Sequence, residues 1–349
     1  MRVAVAMSGG VDSSVAAALL QEQGHEVVGL TLKVWERARC CSADDVEDAR
    51  RVAARLGIPF FVLDAHGVFD REVVEPFARG YEAGLTPNPC VVCNRRVRFR
   101  WLVERARLLG CAWVATGHYA RLEERPGGGV RLRKGLDPKK DQSYFLVPER
   151  SEDLEGIRFP LGGWTKEEVR RKAAELGLPV ARKAESQDVC FVPDGDVAGF
   201  LDRRLGPSPR GEIVDLKGQV LGTHRGQRAY TVGQRRGLGI SAPVPLYVLR
   251  RDGPGNRIVV GPREALLCRD MDVDKTVWLE DDLPKEFECS VKIRSTAPEV
   301  TCRVRRRGAG ARVRFATPQF GVAPGQFAVF YRADVVLGGG WIREAGGRG

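Results

Sequence analysis

Two cysteines three positions apart in a proline-rich stretch are the strongest sign of chemistry in this sequence. Residues 86–94, called here the cysteine loop, read Thr-Pro-Asn-Pro-Cys-Val-Val-Cys-Asn, and three of the next four residues are arginines. The prolines stiffen the loop, and the pattern predicts a helix that begins near Asn94. Cys93 would then lie at a helix amino terminus, where the dipole and the arginines favour its thiolate. We therefore predict that Cys93 is a nucleophile.

A third cysteine lies in another polar segment. Residues 186–195 read Ser-Gln-Asp-Val-Cys-Phe-Val-Pro-Asp-Gly, and the Pro-Asp-Gly turn after Cys190 predicts a loop position rather than a core position. Cys90 and Cys93 could alternatively form half of a zinc site, although no second Cys-x-x-Cys and no spaced histidine pair completes one. We assign no role to the vicinal pair Cys40 and Cys41, and we expect Cys111 and Cys268 to be packing residues.

A second stretch that could take part in chemistry is rich in glycine and serine. Residues 8–14, called here the glycine loop, read Ser-Gly-Gly-Val-Asp-Ser-Ser. Glycines let a backbone approach phosphate oxygens closely, and the amides at a helix amino terminus attract anions. The stretch matches neither a Walker loop nor a dinucleotide fingerprint. It could be a plain strand-to-helix turn capped by Asp12 or Ser13, but the full string favours a phosphate loop of another kind.

Alternating strand and helix patterns must position these loops. The predicted strands are residues 3–7, 25–33, 59–63 and 112–116, and the predicted helices are residues 11–23, 43–56, 70–83 and 95–109. This alternation predicts an α/β fold with a doubly wound parallel sheet. Ligands bind at the carboxyl ends of the strands in such sheets, so the loops after Met7, Lys33 and Thr116 should converge there.

The pattern of alternating strands and helices ends at about residue 200. Residues 206–211 are a plausible linker, short strands with glycine turns follow, and a clean alternation of apolar and basic residues begins near residue 286. This pattern predicts a small antiparallel sheet or barrel with one basic face, in which Cys289 and Cys302 point into the core. We therefore predict three domains, which are residues 1–205, a β-rich central domain at 206–275 and a β-barrel-like domain at 276–349.

The formal charge of +11 is unevenly distributed. Residues 201–349 hold 26 basic and 16 acidic side chains, and residues 91–140 hold 13 and 4. Two basic regions could therefore meet an anionic polymer, although charge can also serve solubility alone.

Composition excludes several classes of protein. A hydrophobic content of 43% and a charged content of 29% are ordinary for globular chains and argue against disordered, collagen-like and disulfide-scaffold classes. No apolar run approaches the roughly 18 residues of a membrane span, and the first apolar stretch is too short for a signal peptide. We expect a cytoplasmic protein with reduced thiols and no membrane partner.

Six motifs, taken in order, resemble those of the bacterial tRNA-specific 2-thiouridylase family, which belongs to the ATP pyrophosphatases. They are residues 8–14, the Pro-Asn-Pro-x-x-x-Cys-Asn of residues 87–94, and residues 115–121, 140–146, 186–191 and 324–326. The resemblance spans almost the whole chain. It implies an adenine-nucleotide hydrolase-like fold for the amino-terminal domain and a sulfurtransferase that uses ATP and Mg²⁺.

The resemblance also implies roles for individual residues. Cys93 would be the nucleophile, Cys190 the cysteine that carries a persulfide, and Asp12 the residue that organises Mg²⁺ and pyrophosphate. ATP would contact Ala6, Met7, Ser8, Gly9, Gly10, Val11, Asp12, Ser13, Leu32 and Gly117. The target base would lie against Asn88, Pro89 and Cys90, and other parts of the tRNA would contact His118, Lys140, Asp141, Gln142, Arg294, Ser295 and Gln326.

The implied reaction converts uridine 34 of the tRNAs for Lys, Glu and Gln to 2-thiouridine. ATP would adenylate the C2 oxygen, and sulfur from Cys190 would replace it, with a disulfide between Cys93 and Cys190 left for a reductant to reopen. The sulfur donor would be a cysteine desulfurase or a relay protein. Position 90 is often Asp in this family, so Cys at this position leaves an acid/base carboxylate in doubt.

Three thiols offer a different sulfur route. Cys90, Cys93 and Cys190 could hold a 4Fe–4S cluster on three corners and leave one iron open for sulfide. Two further functions remain open, which are a related tRNA amide or lysine ligase that makes no use of thiols, and a non-catalytic RNA-binding protein with structural cysteines.

Overall fold

The computed structural model describes residues 1–34, 42–125, 128–184, 189–192, 194–253 and 255–346. The chain divides into two compact units. The first unit contains Met1–Val74, Pro89–Gly195 and Ala333–Val336, and the second contains Glu75–Asn88, Asp196–Arg332 and Leu337–Gly349. The predicted three-domain division stays a prediction. Cys40, Cys41, residues 186–188 and residue 193 lie outside the described residues.

Helices account for much of the first unit and little of the second. The α-helical segments are α1 (Val11–Glu22), α2 (Ala43–Leu56), α3 (His66–Phe69), α4 (Glu75–Glu82), α5 (Pro89–Val92), α6 (Leu102–Leu108), α7 (Lys166–Glu175) and α8 (Val197–Leu205). Two stretches, Asp70–Val74 and Cys93–Trp101, are π-helical, and short 3-10 turns lie at Ser143–Phe145, Ser151–Leu154, Gln227–Ala229 and Arg263–Leu266. None of the helices in the described ranges is long and apolar enough to cross a bilayer.

A five-stranded parallel sheet forms the centre of the first unit. The strands of this unit are β1 (Arg2–Ala6), β2 (Glu26–Lys33), β3 (Phe60–Asp64), β4 (Val114–Thr116), β5 (Ala120–Glu124), β6 (Val130–Lys134) and β7 (Ile157–Arg158). The sheet order is β3-β2-β1-β4-β7, with parallel pairing throughout. β5 and β6 form an antiparallel hairpin outside this sheet, and Arg133 of β6 also pairs with Val335.

This sheet confirms the predicted doubly wound α/β fold. Val3, Ala4 and Val5 of β1 are fully buried, as a central strand with helices packed against it requires. The strand order reverses between β1 and β4, since β2 and β3 lie on one side of β1 and β4 and β7 on the other. The loops that follow β1 and β4 therefore meet at a topological switch point, where such sheets bind ligands.

The second unit contains a small mixed sheet. Its strands are β8 (Gly211–Val214), β9 (Val220–His224), β10 (Tyr247–Asp252) and β11 (Arg257–Gly261), in the order β10-β11-β8-β9. Ile213, Val248, Ile258 and Val260 are fully buried in its core, and Tyr230 and Leu238 from the connecting segments complete it. This arrangement confirms the predicted β-rich central region.

An antiparallel barrel completes the second unit. Its strands are β12 (Leu267–Trp278), β13 (Glu286–Lys292), β14 (Val300–Arg307), β15 (Gly310–Phe320), β16 (Phe327–Arg332) and β17 (Val335–Gly346). They follow the order β12-β15-β14-β13-β16-β17, and a pairing of β12 with β17 closes the ring. Closure removes the open sheet edges at which other chains could pair.

The predicted alternation on β13 and β14 is confirmed. Cys289 and Cys302 are cross-strand partners in the core, with their Sγ atoms 3.7 Å apart. The contact with Cys289, together with burial, raises the pKa of Cys302, so this thiol stays protonated. The intervening arginines point outward, but Arg303 and Arg305 both pair with Glu286, which reduces the surplus charge of that face.

The predicted start of the helix at Asn94 is wrong. α5 begins at Pro89 and runs directly into the π-helical stretch that starts at Cys93. Proline suits the first helical position because its φ is fixed near the helical value and no N–H is needed there. The sequence interpretation treated Pro89 only as a loop stiffener. Cys93 consequently lies one turn inside the helix, and Cys90 lies in the first turn.

Candidate active site

The glycine loop joins β1 to α1 in a tight turn whose hydrogen bonds are local. The hydroxyls of Ser13 and Ser14 donate to the Gly10 carbonyl at 3.1 and 2.8 Å, and the Ser8 amide donates to Ser13 Oγ at 3.1 Å. Gly9 has a φ of +70°, and a Cβ there would lie 2.2 Å from the Asp45 carbonyl oxygen. The turn therefore requires glycine at position 9, both for its backbone conformation and for space.

A partly buried ion pair lies beside this loop. Lys166 donates to Asp12 Oδ1 and Oδ2 at 2.7 and 2.9 Å, and the Tyr119 hydroxyl donates to Asp12 Oδ1 at 2.8 Å. The side chain of Lys166 is 10% exposed and that of Asp12 is 31% exposed. The amino terminus of α1 thus brings positive potential to a loop with the geometry of a phosphate site, and Lys166 balances the negative charge of Asp12 beside it.

The other residues predicted to contact ATP surround the same switch point. A Cβ on Gly117 would lie 2.7 Å from the Ser13 amide nitrogen, so the loop after β4 packs directly on the glycine loop. The Met7 amide donates to the Leu30 carbonyl at 2.8 Å, and the Thr31 hydroxyl donates to the Met7 carbonyl at 2.7 Å. Leu32 is buried near the end of β2. The residues present therefore fit a nucleotide phosphate held by backbone amides.

The helix that carries Cys90 and Cys93 is anchored by its buried neighbours. Asn94 Nδ2 donates to the Phe145 carbonyl at 3.1 Å, and Arg95 Nε donates to the Val147 carbonyl at 2.8 Å. Burial lowers the pKa of Arg95 to about 10, which leaves it charged at neutral pH. Cys90 is exposed and Cys93 is partly exposed. The helix thus presents both thiols to solvent while its opposite face is fixed.

The arginines that follow Cys93 are not equivalent cations. Arg96 pairs with Glu72 and Glu149, each at 2.9 Å, and Arg100 pairs with Glu149 at 3.0 Å. Their charges are therefore balanced by carboxylates. The contribution of Arg96 to the predicted stabilisation of the Cys93 thiolate is therefore reduced, and the charge of Arg95 also interacts with Glu149 and Asp153.

His118, predicted to contact tRNA, is only 9% exposed, and both of its ring nitrogens have protein partners. Arg98 Nη1 lies 3.0 Å from Nε2, and Thr116 Oγ1 lies 2.7 Å from Nδ1. Arginine can only donate, so Nε2 accepts and Nδ1 carries the proton, which it donates to Thr116. Burial, and then the charge of Arg98, hold the pKa of His118 well below its ordinary value. His118 is therefore neutral and links Thr116 of β4 to Arg98 in the helix that carries Cys93.

Cys190 lies in a turn that is held on both sides. The Val192 amide donates to the Val189 carbonyl at 2.9 Å, and the Phe191 ring packs against Phe69 with centroids 5.7 Å apart. Seven residues earlier, Lys183 donates to Asp45 and Asp48 of α2 at 2.7 and 2.6 Å. These bonds outweigh burial and raise the pKa of Lys183. Cys190 itself is partly exposed.

The donor set for a metal cluster does not assemble in this structure. Within the described ranges, which include Cys90, Cys93 and Cys190, no group of three or more His, Cys, Asp or Glu side chains is arranged to hold a metal ion. The three thiols as placed do not fit the three-cornered cluster, and we derive no step through it.

Most of the polar residues predicted to contact tRNA already form hydrogen bonds within the protein. Asp141 accepts from the Gly135 and Ser143 amides at 3.0 and 3.1 Å, and Gln142 Oε1 accepts from the Tyr119 amide at 2.9 Å. In the second unit, Arg294 Nη2 donates to the Phe320 carbonyl at 3.2 Å, and Gln326 Nε2 donates to the Thr86 carbonyl at 2.9 Å. Lys140 and Ser295 are partly exposed, Asn88 and Pro89 are buried, and Cys90 is exposed.

Sequence reasoning missed Lys166 and Tyr119 as parts of the site, and it gave Arg98 a role beside Cys93 but did not foresee its contact with His118. One signal could have revealed Lys166. Thr165 and Glu168 form a capping box, which marks Lys166 as the first residue of α7. A cation is disfavoured at a helix amino terminus, so a lysine at this position needs an acidic partner from elsewhere. No comparable signal exists for Tyr119 or Arg98, because their partners are remote in sequence.

Comparisons with known proteins match the chain from end to end. A family model described as the tRNA methyl transferase HUP domain matches residues 1–194. Models described as the tRNA methyl transferase PRC-barrel domain and the aminomethyltransferase beta-barrel domain match residues 198–262 and 268–342.

Two similar proteins, each matched over nearly its whole length, are tRNA-specific 2-thiouridylases. The tRNA-specific 2-thiouridylase MnmA of Geobacter metallireducens is 49% identical over 357 residues, covering 99% of this chain and 97% of that protein. MnmA of Geotalea uraniireducens is also 49% identical over 357 residues, with 99% and 95% covered. Among solved structures, the U34-tRNA thiolase NcsA from Methanococcus maripaludis with its 4Fe–4S cluster is 20% identical, with 58% of this chain and 66% of that chain covered at a TM-score of 0.36. A TM-score this low supports no inference from one molecule to the other.

Proposed function

Since this chain belongs to the tRNA-specific 2-thiouridylase family, we propose that it uses ATP to convert uridine 34 of tRNA to 2-thiouridine. The observation that carries the proposal is the identity of 49% over nearly the whole of a 2-thiouridylase, together with the glycine loop and the thiols of Cys93 and Cys190. The family-model descriptions mention methyl transfer, but cysteines at exposed and partly exposed positions fit sulfur transfer better.

In the first step, the C2 oxygen of the uridine attacks the α-phosphorus of ATP and pyrophosphate leaves. The amides of the glycine loop and the positive end of α1 suit the pyrophosphate charge. Lys166 holds Asp12 at the mouth of the loop, and Asp12 remains our proposed organiser of Mg²⁺. The resulting adenylate turns a poor leaving group into AMP.

In the second step, the terminal sulfur of a persulfide on Cys190 attacks C2. The Cys93 thiolate then attacks Sγ of Cys190 and breaks the bond between the two persulfide sulfurs, so the transferred sulfur keeps the electron pair. AMP leaves, 2-thiouridine forms, and the two thiols end as a disulfide that a cellular thiol reductant reopens. Three thiols that are not arranged as a cluster favour this route over the iron–sulfur alternative.

The substrate set and partners follow the family resemblance. We propose the tRNAs for Lys, Glu and Gln as substrates and a cysteine desulfurase, alone or with a relay protein, as the sulfur donor. A tRNA substrate and reduced thiols also support our prediction of a cytoplasmic enzyme. The target base must leave its stack, because attack at C2 needs access to both faces of the ring.

The test is nucleoside mass spectrometry of tRNA after incubation with ATP, a desulfurase, cysteine and a thiol reductant, with and without oxygen. We expect 2-thiouridine from the wild-type protein, and none from Cys93→Ser or Cys190→Ser, at tRNA affinities within about twofold of wild type. Cys111→Ala, which removes a buried thiol outside both loops, should remain active. Iron-free protein that is inactive until iron and sulfide are added would overturn the persulfide route.

The two rival functions give different results in the same assay. A ligase would tolerate both serine substitutions while it still released pyrophosphate. A non-catalytic RNA-binding protein would bind tRNA without releasing any.

A further inference from the structure

The segment that leads into the cysteine loop does not pack with its neighbours in sequence. Residues 75–88, called here the strap, belong to the second unit, whereas residues 1–74 and 89–195 form most of the first unit. The chain leaves the first unit after Val74 and returns at Pro89, one residue before Cys90. Whatever fixes the carboxyl end of the strap therefore sets the starting point of the helix that carries Cys90 and Cys93.

Arg251 of β10 holds the middle of the strap. Its guanidinium carbon lies 4.8 Å above the Tyr81 ring, its Nη2 donates to the Leu85 carbonyl, and its backbone carbonyl lies 3.1 Å from where a Cβ on Gly84 would stand. Gly84 has a φ of +77°, which suits the sharp turn after α4.

The burial of the Arg251 guanidinium is energetically unfavourable. It is 7% exposed, and within the described part of the chain its Nε and Nη1 find no hydrogen-bond partner. Burial lowers the pKa of its guanidinium. A buried cation without a carboxylate destabilises a fold, so the contacts with Tyr81 and Leu85 are candidates for a function rather than for stability alone.

A loop of the barrel holds the next peptide. Gln326 Nε2 donates to the Thr86 carbonyl at 2.9 Å, and the Thr86 amide donates to the Pro324 carbonyl at 2.8 Å. Gly325 between them has a φ of +90°, and a Cβ there would lie 2.9 Å from both Leu85 Cβ and the Thr86 nitrogen. Two successive strap carbonyls, those of Leu85 and Thr86, are thus each held by a side chain, one from the central sheet and one from the barrel.

We propose that Arg251 and Gln326 are positioning residues for sulfur transfer. They clamp the strap three or four residues before Pro89 and so fix where the helix of Cys90 and Cys93 begins. This inference rests on the proposed function and assigns Gln326 a role beyond a simple tRNA contact.

The test uses the full-length enzyme and measures three quantities for each variant, which are the tRNA dissociation constant, the single-turnover rate of 2-thiouridine formation at saturating tRNA, and the number of ATP molecules converted to AMP per 2-thiouridine. The variants are Arg251→Met, which removes the cation, and Gln326→Glu, which sets an acceptor against the Thr86 carbonyl. Arg250→Gln on the exposed side of the same strand is the matched control.

We expect both variants to thiolate about 10- to 100-fold more slowly at nearly unchanged tRNA affinity, because a displacement of about 1 Å can cost 100-fold. The number of ATP molecules consumed per 2-thiouridine should rise, since the adduct of the Cys190 persulfide at C2 would revert to the adenylate while a misplaced Cys93 fails to cleave it, and the adenylate would hydrolyse. A protein that had merely lost part of its folded population would lose both steps equally and keep the wild-type ratio. Arg251→Lys should recover part of the rate, and Arg250→Gln should keep the wild-type ratio.

Two further outcomes would overturn the proposal. One is that both variants keep the wild-type rate and the wild-type number of ATP molecules per 2-thiouridine. The other is a fall in rate matched by an equal fall in tRNA affinity, which would make the two residues tRNA contacts alone. If Arg251→Met fails to fold, as thermal melting would reveal, Gln326→Glu at its partly exposed position decides the question. A wild-type enzyme that forms no 2-thiouridine would refute the proposed function itself, and this result is independent of the variants.

Discussion

The hydrogen bonds that shape the glycine loop join residues three to five positions apart, whereas those that hold the cysteine loop reach across the chain. Asn94 and Arg95 bind carbonyls 51 and 52 residues away, and Thr86 is bound by a side chain 240 residues away. The backbone turn of the glycine loop is therefore local, although its Asp12 also pairs with Lys166 at a separation of 154 residues. The helix that carries Cys93 depends mainly on contacts that are remote in sequence.

This difference suggests a division of labour. A phosphate loop must keep the same geometry in every catalytic cycle, and local bonds with a required glycine provide that rigidity. In the proposed mechanism, the Cys93 thiol must reach Sγ of Cys190 while the sulfur on Cys190 is bonded to the base, so its position must suit both partners. Contacts with residues remote in sequence can make the position of this thiol depend on other surfaces of the protein.

The largest effect should follow from Gly9→Ala, which attacks the local turn directly. Alanine at a φ of +70°, with its Cβ 2.2 Å from the Asp45 carbonyl oxygen, forces the backbone of the loop or of α2 to move. We expect a loss of stability of about 2–4 kcal/mol and loss of tRNA-dependent pyrophosphate release. Thermal melting and a pyrophosphate assay measure the two effects.

Gly10→Ala is the control for this prediction, because Gly10 has a φ of −98° and a Cβ there would find its nearest atom at 3.5 Å. Equal damage from both substitutions would contradict a specific requirement at position 9.

Lys166→Met should have the next largest effect and tests whether the nucleotide site is purely local. The substitution leaves the Asp12 carboxylate without its ammonium partner beside a loop that must accept phosphate charge. We expect the rate of pyrophosphate release to fall about 10- to 100-fold and stability to fall by about 1–2 kcal/mol, since Asp12 is partly exposed. Lys172→Met on the same helix removes a comparable pair with Glu22 and should leave pyrophosphate release unchanged.

A pH dependence should distinguish the cysteine helix from the glycine loop. The folded-state pKa of His118 lies below its ordinary value of 6.5, so the unfolded chain binds more protons as pH falls below that value. The contribution of His118 to stability is therefore complete above pH 6.5 and is lost as pH falls toward the folded-state pKa. Melting temperatures measured between about pH 5 and 8 should decline less steeply toward acid in His118→Gln than in wild type. Parallel curves for the two proteins would argue against a neutral His118.

Salt should have the smallest and most general effect. Binding of tRNA through phosphates weakens as salt rises, and each lost phosphate contact lowers the slope of log K against log salt by about one. We expect Arg314→Gln on β15 to lower this slope, whereas Arg96→Gln should not, because Arg96 is already paired with Glu72 and Glu149. An affinity that does not respond to salt would leave the basic surplus to solubility alone.

Local signals explain what the sequence could predict. The buried run of β1, the glycine turn and the helix after it follow one another within about twenty residues, so propensity and periodicity were sufficient, and the predicted helix at 11–23 is observed as Val11–Glu22. Alternation on β13 and β14 predicted the inward-facing Cys289 and Cys302 for the same reason.

The remaining features depend on contacts that no local window contains. The predicted helix at 70–83 exists, but it divides at Val74 between two compact units because α4 packs with residues of the second unit. Lys166 reaches Asp12 across 154 positions, and Arg251 reaches Leu85 across 166. Pro89 was misread because a proline can equally stiffen a loop or begin a helix, and the tertiary fold decides between the two.

The strap also has a consequence for the order of events during synthesis. A ribosome delivers the strap early, but Gln326 follows Thr86 by 240 residues. At roughly 5–20 residues per second, that interval is on the order of 10–50 s. During this time the five-stranded sheet and its glycine loop can form before Gln326 is available to bind the Thr86 carbonyl. The glycine loop can therefore form well before the helix of Cys90 and Cys93 reaches its final position, and under the proposed mechanism sulfur chemistry would wait until translation is nearly complete.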